Sequence, residues 1–369
     1  MDHGQHGGDI YRNEIIYDFS ININPLGMPE AVRHALREGM DAWERYPDPE
    51  CRKLTKKLAD YYGLPASWVI CGSGAADLIY QLALFCKPKQ ALVTAPAFSE
   101  YEGALRAAGC RILYEELKKE EDFRVNFGRM AERIDGDTEL VFACNPNNPT
   151  GMMADGKELL VLAEACRKHH AVLVIDECFC ELSDRPVTGS FLPFLKQYPE
   201  VLVLRAFTKT YAMAGLRLGY GICSSRKLLD GIRSVRQPWS VSVPAQQAGE
   251  AALGQGEYLE EARALIRRER ERLKAGLERL GFAVYPSETN YLLFQDCREK
   301  EHGNLWEELC RKKLLIRDCS NYRGLGQGFY RICVKTQEDN ELLLEYLKDI
   351  IKKEKKGDSY EFVSDYSCG

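Results

Sequence analysis

The sequence predicts an α/β protein with a large domain, built on a mostly parallel sheet flanked by helices, and a smaller C-terminal α+β domain. Three observations carry this. Short runs rich in valine, isoleucine and leucine recur at 91–95 (ALVTA), 139–144 (ELVFAC), 171–176 (AVLVID), 201–207 (VLVLRAF) and 218–223 (LGYGIC); continuous apolar runs of this length suit strands buried on both faces. Helical patterns lie between many of them, as at 157–170 (KELLVLAEACRKHH), with apolar Leu159, Leu160, Ala163 and Cys166. Strand alternating with helix means a parallel sheet covered on both sides. Finally, 257–280 places Leu259, Ala262, Ile266, Leu273, Leu277 and Leu280 on one stripe of a long helix, after which the pattern changes. Strand-like FAVY and NYLLF, a helix near 303–311, strand-like LLIR and YRICV, and a helix across 339–352 follow. Pro25 and Pro29 break the first segment, so 1–28 is expected to run as an extended arm able to contribute to a site. The expected division is 1–45 for the arm and part of the small domain, 46–255 for the large domain, 256–354 for the small domain and 355–369 for a polar tail.

Composition narrows the function. The 369 residues are 45% hydrophobic and 28% charged, enough apolar material for a large core. A net charge of −5 argues against nucleic acid or an anionic membrane as a default partner. The N-terminus is polar and no run approaches the ~20 apolar residues of a membrane span, so a cytoplasmic protein is expected. Fourteen cysteines are scattered without a C-x-x-C pair, and a chain of this size needs no disulfide staples, so reduced thiols are expected. The C-x-C of Cys178 and Cys180 sits in a strand-like context and reads as buried small residues. No metal site is expected.

Four stretches carry chemistry. In 70–84 (ICGSGAADLIYQLAL) a strand end meets Gly72, Ser73 and Gly74 and then a helix, where backbone N–H groups can face a phosphate; a plain glycine turn is the alternative. In 144–151 (CNPNNPTG) two prolines stiffen a loop after a buried strand, and ligands gather at that edge of an α/β sheet; Asn148 there can donate to a ligand oxygen. Asp176 ends the apolar strand of 173–179 (LVIDECF), where an unpaired carboxylate is costly and wants a cationic partner; a helix cap is the alternative. Lys209, in 205–220 (RAFTKTYAMAGLRLGY), follows another buried strand and precedes Arg217. Desolvated near a second cation, it would have a lowered pKa and act as an amine nucleophile. Together they fit one cofactor. Its phosphate meets Gly74, Ala75, Ala76 and Arg217, its protonated ring nitrogen Asp176, its ring oxygen Asn148 and its aldehyde Lys209, which describes pyridoxal phosphate.

The run F-T-K-T-Y-A-M-A-G-L-R-L-G-Y, with N-N-P-T-G and D-E-C-F in order, resembles the fold-type I pyridoxal-phosphate enzymes of the class I/II aminotransferase group. The resemblance implies that Lys209 joins the cofactor aldehyde, that Arg217, Thr208 and the backbone of Ala75 and Ala76 hold its phosphate, and that Phe98 stacks on its ring. Tyr46, in Y-P-D-P, would reach the cofactor phosphate of a partner subunit, which implies a homodimer. Within the group, 6-HGGD-9, 18-DFSININPLG-27, 96-PAFSEYEGAL-105 and 315-LIRDCSNYRGL-325 resemble the threonine-phosphate decarboxylases of cobalamin biosynthesis, siblings of the histidinol-phosphate aminotransferases. On that likeness His6, with Gly7 and Gly8, Asn22 and Arg317 surround a substrate phosphate, and Arg331 clamps a carboxylate. A flexible end is the alternative for His6, a surface ion pair for Arg317.

Three positions depart from the pattern. Asp9 stands where the family has asparagine, Ala206 where a serine often helps the phosphate, and Phe179 where transaminases aim a tyrosine at the ring oxygen. The expected activity is decarboxylation of a phosphorylated amino acid, with transamination of the histidinol-phosphate type as the alternative. A ligand-sensing domain of a transcription factor is disfavoured, because no helix-turn-helix precedes the site.

Overall fold

The computed structural model describes residues 6–11, 14–298 and 304–357. Most of the expected polar tail, from 358 on, lies outside the described residues. The large sheet has seven strands: β2 (Val69–Gly72), β3 (Gln90–Ala95), β4 (Arg111–Glu116), β5 (Thr138–Cys144), β6 (Val172–Asp176), β7 (Val201–Ala206) and β8 (Gly219–Ile222), in the order β2-β8-β7-β6-β5-β3-β4. The neighbours from β7 to β4 run parallel. β8 runs antiparallel to both β2 and β7, because the chain turns back through 207–218 at the edge where β7 ends. Side chains alternate between two cores. Leu92, Val141, Leu173 and Val203 enter one, and Val93, Phe142, Val174 and Leu202 the other, as a period-2 strand buried on both faces requires.

The expected stripe is buried along the helix Gly256–Arg279, from Leu259 to Leu277. Beyond it, β9 (Ala283–Val284), β10 (Tyr291–Gln295), β12 (Arg317–Asp318) and β13 (Phe329–Cys333) form an antiparallel sheet in the order β12-β13-β10-β9. The helices Leu305–Arg311 and Gln337–Gly357 match the two expected ones. The arm is not merely draped. Its β1 (Tyr17–Asp18) pairs with β11 (Leu314–Leu315), the Phe19 N–H donates to the Leu315 carbonyl at 2.7 Å, and the Phe19 ring enters the small-sheet core.

Among the described residues no helix is long and apolar enough to cross a membrane, and no cluster of three or more metal-ligating side chains occurs. Among the described residues twelve cysteines are free thiols. Cys297 is in a disulfide, a correction to the expectation of reduced thiols; it is exposed beyond the end of β10, where core packing does not constrain it.

Candidate active site

β3, β5, β6 and β7 all end at one edge of the large sheet, at Ala95, Cys144, Asp176 and Ala206. The small sheet and the arm face that edge and close a cavity of ≈ 440 Å³. Ligands collect in such crevices because several strand ends deliver side chains to one point. His6, Gly7, Asn22, Ala75, Ala76, Phe98, Asn148, Asp176, Thr208, Lys209, Arg217, Arg317 and Arg331, all singled out from sequence, line it. Gly8 and Gly74 are not among the lining residues, though their chain neighbours Gly7 and Ala75 are. Tyr46 does not line it: the side chain is exposed, with its ring 4.8 Å from that of Trp239.

Lys209 lies in the one-turn helix Phe207–Thr210 that follows β7. Loss of water around the amine, and then the nearby cation of Arg331 and that of Arg217, lower its pKa to about 8. Asp176 is buried and accepts the Tyr101 hydroxyl at 2.6 Å on one oxygen and the Cys178 N–H at 3.0 Å on the other. Tyr101 is a residue the sequence reading passed over; burial first, then the Asp176 charge, pushes its phenol well above the usual range. The cationic partner expected for Asp176 is not supplied by either of these donors.

Ala75 opens the helix Ala75–Cys86 behind Gly74, whose backbone has φ +89° and ψ 163°, a region open essentially only to glycine. A Cβ there would stand 2.6 Å from Arg217 Nη2, so Gly74 both shapes the turn and admits the guanidinium. Gly74→Ala should weaken cofactor binding about ten-fold and cost about 1–3 kcal/mol of stability. Cofactor titration and urea unfolding of the apoprotein check the two halves separately.

Arg317 and Arg331 are direct cross-strand partners on β12 and β13, which puts both on one face of the small sheet. Both are buried. Arg331 donates through Nη1 to Asn148 Oδ1 and through Nη2 to the Ser20 carbonyl at 2.9 Å, while its Nε is buried without a partner, as is Asn22 Oδ1. Arg317 donates to Asn321 Oδ1 at 2.8 Å and lies over the Tyr322 ring, and its burial shows that it is not the surface residue considered as the alternative. His6 is paired with Glu100 at 2.9 Å. Phe179 is buried edge-on against Tyr291.

A pattern for aminotransferases of class I and II matches residues 14–347. The chain belongs to the class I and II aminotransferase family. It is 36% identical to the threonine-phosphate decarboxylase of Salmonella typhimurium over 94% of this chain and 96% of that one. It is 34% identical to a histidinol-phosphate aminotransferase of Methanosarcina mazei over 89% and 86%. The crystal structure of the histidinol-phosphate aminotransferase from Clostridium acetobutylicum superposes with a TM-score of 0.84 at 29% identity, covering 92% of this chain and all of the other. The family's cofactor is pyridoxal phosphate, and the residues present fit it. The Gly74 turn leaves room where a Cβ would crowd Arg217, a buried carboxylate whose two donors are uncharged stands at Asp176, and an amine of lowered pKa shares their cavity.

Proposed function

We propose that the chain is a pyridoxal-phosphate-dependent lyase that decarboxylates L-threonine O-3-phosphate, or a close phosphorylated amino acid, to an aminoalkyl phosphate in cobalamin biosynthesis. The observation that carries the reading is the register pair Arg317 and Arg331 facing the cavity that holds Lys209. Two buried guanidinium forks suit a substrate bearing a phosphate and a carboxylate. The near full-length similarity to a threonine-phosphate decarboxylase supports the same choice.

In this reading Arg217, Thr208 and the amides of Ala75 and Ala76 hold the cofactor phosphate. Phe98 covers the ring, Asn148 donates to the ring oxygen and Asp176 keeps the ring nitrogen protonated. When bound, the cofactor supplies a sink for the electron pair left at Cα. Arg331 holds the carboxylate, and Arg317, Asn22 and His6, with the Gly7 and Gly8 backbone, receive the substrate phosphate. Arg331 would hold the carboxylate so that the bond from Cα to the carboxyl carbon can break; CO2 leaves and one proton returns to Cα. Lys209, with a pKa of about 8, can hold or release a proton near neutral pH. Phe179 has no hydroxyl to offer the ring oxygen, so that contact falls to Asn148 alone. The active form is a cytoplasmic homodimer in which exposed Tyr46 reaches the partner subunit's cofactor.

The second reading is transamination of the histidinol-phosphate type, favoured by the relatives of that kind. It would require the carboxylate to be held so that the Cα proton, rather than CO2, leaves, with Lys209 as the group that would accept it. Holoenzyme mixed with phosphothreonine and no keto acid separates the two. Sustained CO2 release over many turnovers is expected. A reaction that stops after one equivalent per site and restarts on adding a keto acid would instead establish the transferase.

A further inference from the structure

The cavity contains a carboxylate that neither the cofactor nor the substrate chemistry calls for. Glu100 lies in the first turn of the helix Ser99–Ala107, directly after Phe98, and lines the cavity with His6, Asn22 and Arg317. A second anion where a phosphate is to bind is unfavourable unless a donor answers it. His6 does: its Nε2 stands 2.9 Å from Glu100 Oε1, with the carboxylate side chain 19% exposed and the imidazole 50%. The Tyr80 phenol is a further neighbour, raised by burial and then by the Glu100 charge and hydrogen bond.

The backbone carrying His6 is fixed on its other side. The Gly8 N–H donates to Ser20 Oγ at 2.7 Å, and that hydroxyl donates to Asp18 at 2.6 Å. A Cβ on Gly7 would fall 2.4 Å from the Ser20 carbonyl oxygen, so the strap lies directly on the segment that Arg331 also contacts. The contact therefore joins the N-terminal strap to the large-sheet body at the cavity wall. Asn22 and Arg317, expected at the substrate phosphate, line the same cavity.

We propose that Glu100 is a positioning residue that latches the strap through His6 Nε2, so that His6 meets the phosphate in a fixed orientation. The proposal rests on the reading that His6 receives that phosphate. It makes Glu100 a determinant of specificity for phosphorylated over unphosphorylated amino acids, because an unlatched His6 has to be ordered at the expense of binding.

A double-mutant cycle on the holoenzyme tests it, with H6N, E100A and the double variant, and E100Q as a milder replacement. E100A is expected to raise KM for phosphothreonine about ten-fold, the scale of one charge-assisted hydrogen bond, with kcat changed less than about three-fold. E100Q should fall between E100A and the wild type. The effect of E100A should vanish in the H6N background. Calorimetric titration with inorganic phosphate should give the same order of affinities. Additive effects of the two substitutions, an unchanged KM in E100A, or a fall confined to kcat would overturn the proposal. If phosphothreonine proves not to be decarboxylated, the functional reading fails on its own, and the phosphate titration of the four proteins still decides the role of Glu100.

Discussion

Lys209→Ala should lower kcat by about 10⁴-fold or more, since the same amine is asked to be nucleophile and proton carrier. Reduction of the wild-type holoenzyme with borohydride, followed by peptide mapping, should find the cofactor mass on the peptide containing Lys209, and the variant should lack it. The chemical reason is the setting at the end of β7. Removal of water and the charges of Arg331 and Arg217 bring the amine to about 8, so near pH 8 about half of it is free base, against roughly a few per thousand for an ordinary lysine. Capture of the cofactor by apoenzyme should accordingly accelerate as pH rises through about 8. The stability effect has the opposite origin from that of a salt bridge. A folded pKa below the unfolded one means that the fold disfavours the proton. That penalty is fully present below pH 8 and is relieved between about 8 and 10.5. The apo form of Lys209→Ala should therefore be no less stable than wild type at pH 7 by urea unfolding. Surviving turnover, or a variant that simply unfolds, would remove Lys209 from the centre of the mechanism.

The strands buried on both faces were legible because each carries a continuous apolar run, with polar residues mainly at its ends. β4 was not, since RILYEE at the sheet edge is half exposed and shows no continuous apolar run. The direction of β8 was equally hidden, because an apolar run carries no sign of parallel or antiparallel pairing. At the site, the residues at strand ends stood out through glycine, proline or charge where a buried strand stops. What sequence could not convey is which distant residues meet. Arg317 and Arg331 were each visible, but their pairing is a matter of register between β12 and β13. Tyr101 lay in the stretch that drew attention to Phe98, and its signal, a tyrosine on the buried face of a short helix with Ala104 and Leu105, reads as ordinary core until Asp176 is found beside it. Glu100 gave no signal at all, because its meaning depends on a strap from the other end of the chain. Neither donor to Asp176 is a cation, and the expectation from sequence assigned that charge to the cofactor's ring nitrogen rather than to a side chain.

That assignment sets the second large effect. Among the described residues the buried Asp176 carboxylate accepts from a phenol and an amide, neither of them a cation; on the proposed reading the protonated ring nitrogen would supply the opposite charge. A unit charge pair at ~4 Å in a medium of effective dielectric about 20 is worth roughly 4 kcal/mol, which corresponds to about 10³ in rate if the interaction is felt in the transition state. Asp176→Asn, of the same shape, should thus lower kcat about 10³-fold while still taking up the cofactor on Lys209. Tyr101→Phe removes only one hydrogen bond to that charge, roughly 1.5–3 kcal/mol, and should cost about 10- to 100-fold. Because the Asn side chain no longer buries an uncompensated charge, apo Asp176→Asn should unfold at a urea concentration no lower than wild type, whereas loss of a purely structural carboxylate would lower it. If the asparagine variant keeps its rate within ten-fold, the ring nitrogen does not depend on Asp176, and the electronic role assigned to this strand end is wrong.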